Sequence, residues 1–107
     1  MVSSVSARVV GVPLQRGLSQ NYPNPFNPTT TIAYTVGGVR GQGLGASEVR
    51  LVVFDLLGRE IAVLVNEVKA PGTYMVRFDA SRLASGVYFC RMKTGGFSQS
   101  KSMILTK

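Results

Sequence analysis

The sequence predicts an all-β domain, an immunoglobulin-like β-sandwich of about seven antiparallel strands. Three observations carry that prediction. Apolar residues recur with period two in short runs, as in Thr29–Val36 and Gly72–Asp79. Glycine, proline and asparagine punctuate the chain between those runs. No helical period of ordinary length appears anywhere. Many short strands separated by turn signals make a sandwich, with a small open barrel as the competing architecture. The 107 residues amount to one domain, and an apolar content of 45% can form a core without disulfide or metal staples.

Taken in order, residues 1–17 read as a linker from an upstream region, with Pro13 and Gly17 breaking any period and one short extended stretch over Ala7–Val12. Residues 18–107 read as the folded domain. Leu18–Tyr22 suits a short strand. Tyr22, Pro23, Asn24, Pro25, Phe26, Asn27 and Pro28 follow. Their prolines remove backbone donors and fix φ, which excludes helix and all but excludes a central strand. Asn24 and Asn27 are expected to close Asx turns, and Phe26 to plug one end of the core. The run is expected to be a rigid corner joining two sheets; the alternative is a ligand for a proline-reading groove.

Thr29–Val36 alternates as a strand with Ile32, Tyr34 and Val36 on one face. Gly37–Ser47 is glycine-rich loop. Val49–Leu56 is apolar on both faces at its centre, as an interior strand requires. Leu57 and Gly58 turn the chain, Gly58 supplying positive φ beside a bulge, and Arg59–Val65 returns as a strand. Asn66–Pro71 connects. Gly72–Asp79 sends Tyr74, Val76 and Phe78 inward. Ala80–Ser85 is a turn anchored by Leu83, with Asp79 capping it. Gly86–Lys93 places Tyr88, Cys90 and Met92 on one face. Gly95 and Gly96 turn, and Phe97–Thr106 is the last strand, polar first and apolar over Met103–Leu105.

Composition narrows function. There is no histidine, and the single Cys90 can neither close an intrachain disulfide nor join a zinc-ligand cluster. Cys90 has no histidine to activate it and reads as a small buried hydrophobe. The acids are isolated and form no calcium loop; without histidine a nucleophile–base set would need lysine or acid substitutes, and no motif points to one or to paired glycosidase-type carboxylates. The chain is therefore read as no enzyme, with no cofactor. Twelve basic residues against five acidic ones give a net charge of +7. They are scattered from Arg8 to Lys107 and form no stripe, which argues against nucleic acid and leaves an anionic surface as a partner. No run is long enough to span a bilayer as a helix. The N-terminus lacks the basic start and apolar run of a signal peptide, so an export signal is expected elsewhere in a longer polypeptide.

Five segments together resemble a known family: Leu18–Thr30, Val53–Glu60, Pro71–Tyr74 with Gly72 at its centre, Leu83–Phe89, and Lys101–Lys107. The chain is similar to the type A C-terminal sorting domains recognised by the type IX secretion system of Bacteroidota, which are related to the immunoglobulin-like domain of flagellar hook-capping proteins. The resemblance implies a cargo attached upstream that crosses the periplasm. It implies recognition by the outer-membrane secretion machinery, and a surface protease-transpeptidase that cuts before Leu18. The cargo is then joined to anionic lipopolysaccharide at the cell surface or released. The alternatives are a structural assembly domain of the hook-capping kind and a carbohydrate-binding module appended to a secreted enzyme. The second is poorly served by four tyrosines and no tryptophan.

The residues expected to meet a receptor are Gly86, Tyr88, Lys101, Met103, Ile104, Leu105 and Lys107. For the last strand two roles stay open together. As an edge it can offer its backbone for strand addition, with Met103, Ile104 and Leu105 filling pockets and Lys101 and Lys107 engaging acids. As core closure it buries the same apolar residues. Tyr88 has a structural alternative too, because a tyrosine early in a late strand often anchors a corner through its hydroxyl, and Gly86 is expected to be conformational.

Overall fold

The computed structural model describes residues 16–37 and 46–107. The Ala7–Val12 stretch, the linker before residue 16 and most of the glycine-rich loop lie outside the described residues. Seven strands form among the described residues: β1 (Gly17–Leu18), β2 (Thr29–Val36), β3 (Ser47–Phe54), β4 (Glu60–Lys69), β5 (Gly72–Asp79), β6 (Gly86–Thr94) and β7 (Phe97–Leu105). All pair antiparallel, in a three-stranded sheet β1-β2-β5 and a four-stranded sheet β4-β3-β6-β7. There is no helix among the described residues.

Period-two burial builds the sandwich. β2 buries Thr30, Ile32, Tyr34 and Val36, and β5 turns Tyr74, Val76 and Phe78 to the same side. From the other sheet come Val49, Leu51, Val53, Tyr88, Cys90, Met92, Met103 and Leu105. Tyr34 and Tyr74 are register partners and their rings stack 5.4 Å apart. Val52 is buried as well, but on the outer face of β3, beneath the neighbouring side chains rather than in the core.

The element boundaries differ from the expectation in several places, β7 among them, which ends at Leu105 and not at Thr106. Only Gly17–Leu18 pairs continuously at the start, so Gly17 belongs to the sheet and not to the linker. Tyr22 makes a separate bridge to Thr31 because the buried Asn21 turns inward between them, donating to Pro23 O and Thr30 Oγ1. β3 starts at Ser47 and stops at Phe54, since the Asp55 carboxylate accepts from the N–H groups of Leu57 and Arg59 and folds the turn. β4 runs on to Lys69, because Ser47–Arg50 pairs with Asn66–Lys69. β6 gains one residue, Thr94. At the β3–β4 turn Gly58 has φ of 83°, and the ladder slips between Leu51 and Val52 and between Val53 and Phe54. That is the bulged hairpin a positive-φ glycine allows.

Candidate functional site

The site is the outer edge of β7 and the segment that runs beside it. β7 ends the four-stranded sheet, with β6 on one side and, among the described residues, no strand on the other. Thr94 and Phe97 flank the two-residue Gly95-Gly96 turn, which makes them a hydrogen-bonded pair. Alternation then points the backbone groups of Ser98, Ser100, Ser102, Ile104 and Thr106 away from β6.

The proline-rich segment satisfies the far half of that edge. Phe26 N–H donates to Ile104 O at 2.9 Å, and Thr106 N–H donates to Phe26 O at 3.0 Å. Ile104 N–H donates to Asn24 Oδ1 at 2.9 Å, and Gln20 Nε2 donates to Ser102 O at 2.7 Å. Asn24 therefore holds the final strand, where an Asx turn was expected. The Phe26 side chain is 1% exposed and lies 6.1 Å from Phe78, ring centre to ring centre. Pro28 O accepts from Ala80 N–H at 2.8 Å. The run is thus a corner: Tyr22 pairs with β2 of one sheet while Phe26 pairs with β7 of the other. Its three X-Pro bonds are cis.

The near half of the edge is different. Among the described residues nothing bonds the N–H and C=O of Ser98 and Ser100 or the N–H of Ser102. Leu18 N–H reaches only the Gln99 side chain, at 2.9 Å across the seam between the sheets.

The expected receptor residues divide accordingly. Met103 and Leu105 are 0% and 1% exposed and close the core, so their side chains fill no receptor pocket in this fold. Ile104, at 41%, is the one of the three that faces outward. Tyr88 is buried too, and its hydroxyl donates to Ala84 O at 2.7 Å. This is the corner anchor of immunoglobulin-type sandwiches. Its local pattern, Ala84-x-Gly86-x-Tyr88, recurs as Ala70-x-Gly72-x-Tyr74, where Tyr74 donates to Ala70 O at 2.6 Å. Gly72 and Gly86 both take positive φ, 159° and 154°. Lys101 is half-buried opposite Cys90. Lys107 is exposed, but its Nζ donates to Ser81 O at 2.6 Å and its N–H to Ser85 Oγ at 3.1 Å. Asp79 accepts from Ser81 N–H, which with Arg77 and Lys107 holds its carboxyl below the ordinary range. Burial pushes the Cys90 thiol up to about 12.

Sequence reasoning missed Gln20, Asn21 and Gln99, the amides that fasten this seam. Their spacing shows no motif, and the only hint was a cluster of amide side chains, Gln20, Asn21 and Asn24, ahead of the prolines. Among the described residues no group of acids and cysteine is placed to hold a metal, and no helix is long and apolar enough to cross a membrane.

A family model described as the secretion system C-terminal sorting domain matches residues 20–106. No curated protein and no solved structure gave a match.

Proposed function

The chain belongs to the secretion system C-terminal sorting domains, and from that premise we propose that the secretion machinery reads the outer edge of β7. A domain of this family is the C-terminal sorting signal that sends an attached cargo out by type IX secretion, to the cell surface or beyond. The finer steps are our reading. The domain does no catalysis, crosses the periplasm folded, and is cut by a surface protease-transpeptidase in the linker before Leu18. The cargo is joined to anionic lipopolysaccharide or released.

One observation carries the proposal. β7 is an edge strand whose far half is pinned by Asn24 and Phe26 while its near half keeps outward main-chain groups unpaired among the described residues. Strand addition draws its affinity from such groups and its selectivity from the side chains around them. The pinning also fixes the position of the entering chain. Phe26 sits on β7 and Leu18 on β2, so the chain joins the sandwich at Gly17 at one defined place.

The test is a fusion of all 107 residues to a periplasmic reporter in a host that has the secretion system, alongside a version lacking Lys101–Lys107. The full fusion is expected outside the cell and the truncated one inside. Retention of both reporters would refute the sorting role.

A further inference from the structure

We propose that the Ser98–Ser102 window of β7 receives an extended acidic segment of the secretion machinery, added as a fifth strand, with carboxylates facing Lys93 and Arg91. The inference deepens the sorting function above and rests on it.

The outer face of the β6–β7 hairpin is a set of cross-strand rows. Lys93 lies opposite Ser98, Arg91 opposite Ser100, Phe89 opposite Ser102, and Val87 opposite Ile104. Serine is too short to shield an edge, so the cations of β6 are the first charges an added strand meets. That strand would sit two strand spacings from β6, about 10 Å, a gap that a lysine or arginine and a glutamate span together. Carboxylates fit the first two rows and an apolar residue fits beside Phe89 and Ile104.

Along the chain the charge of this region is of one sign. From Ala80 to Lys107 the chain has Arg82, Arg91, Lys93, Lys101 and Lys107 and no acid. Next along the same face, Arg50 lies opposite Lys93, a like-charge pair that is costly unless compensated. Glu60 makes its short contacts with Arg50, accepting from its two terminal nitrogens at 3.1 and 3.3 Å, and reaches Arg91 only at longer range. Arg91 stacks over Phe54 at 4.7 Å, held in place on an aromatic face with no carboxylate among the described residues within ion-pair distance.

The other long edges lack this character. β4 is broken by two register slips and carries Glu60 and Glu67. β5 mixes Arg77 with Asp79 around an exposed Met75. Charge complementarity therefore selects β7 and an acidic occupant.

The probe is a synthetic heptapeptide alternating glutamate and valine, compared with its lysine-for-glutamate counterpart. Each is titrated into the 107-residue chain and followed by backbone amide NMR. The glutamate peptide is expected to protect the amides of Ser98, Ser100 and Ser102 and to bind about tenfold more tightly than the lysine peptide. The double variant R91E/K93E, exposed at both positions, should reverse that preference. Ser100→Pro should abolish binding with the circular dichroism unchanged, since an outward N–H is no part of the β6 ladder. Equal binding of the two peptides, or protection on β4 or β5 instead, would overturn the proposal. So would amides already protected in the free chain and released by removing residues 1–15, because the window would then belong to the linker. In the reporter assay, retention of R91E/K93E supports the acidic contact. Export of R91E/K93E alongside retention of the fusion lacking Lys101–Lys107 sinks this inference and leaves the sorting role standing. Export of both sinks the two together.

Discussion

Phe26→Ala should be the most damaging single change in the proline-rich segment. The ring is 1% exposed, packs against Phe78, and sits between two main-chain bonds to β7. Truncating a buried phenylalanine costs about 3–5 kcal/mol, transfer and cavity terms together. A domain of this size has only about 5–13 kcal/mol in total. At about 4–8 °C per kcal/mol, the melting temperature should drop by about 12–40 °C. The assay is urea and thermal unfolding followed by circular dichroism, with Tyr22→Ala as the control. Tyr22 is 81% exposed, and its truncation should stay within about 0.5 kcal/mol. A double-mutant cycle with Phe78→Ala should show coupling of about 0.5–1.5 kcal/mol. If Phe26→Ala costs less than Tyr22→Ala, or the cycle shows no coupling, the segment is not the core plug and β7 anchor described above.

Tyr88→Phe should cost about 1–2 kcal/mol in urea unfolding, because Ala84 O loses its partner in a partly buried corner, whereas the same change at the exposed Tyr74 corner should cost less than half as much. With its thiol pushed up to about 12 by burial, Cys90 should resist a disulfide exchange reagent at pH 8 in the folded chain and react fully in denaturant. The carboxyls of Asp55, Glu60 and Asp79 are all held below their ordinary values of 3.8 to 4.5, Asp55 first by the Arg59 N–H, Glu60 by Arg50 and Asp79 by the Ser81 N–H. Folded values below unfolded ones mean that their stabilising contribution is complete above that range and is lost as pH falls through the lowered values. Urea midpoints should therefore hold steady from pH 7 to 5 and decline below about pH 4.

The strands that could be read to the residue are those with one buried face. In β2 and β5, period-two alternation places Ile32, Tyr34, Val76 and Phe78 without reference to any partner. The triple Leu51-Val52-Val53 marks an interior strand for a related reason, burial on both faces. Where the β3–β4 ladder runs past the core, Ser47, Glu48, Asn66 and Glu67 are polar on both faces, and composition reads as loop what hydrogen bonding makes strand. Met103-Ile104-Leu105 failed differently: three apolar residues in a row conceal which one faces out. The inward Tyr88, whose register partner is Met103, resolves it once the pairing is known. Asn24 and Gln99 gave no signal because their partners, Ile104 and Leu18, lie far along the chain, and a side-chain amide carries no mark of which distant backbone group it will meet.

Amide hydrogen exchange along Phe97–Thr106 tests the open edge most directly. Ser98, Ser100 and Ser102 should exchange quickly while Gln99, Lys101 and Met103 are slow, with Ile104 and Thr106 slowed by Asn24 and Phe26. Uniform slow exchange through the three serines would mean that the near half of β7 is already covered and offers no backbone to a receptor.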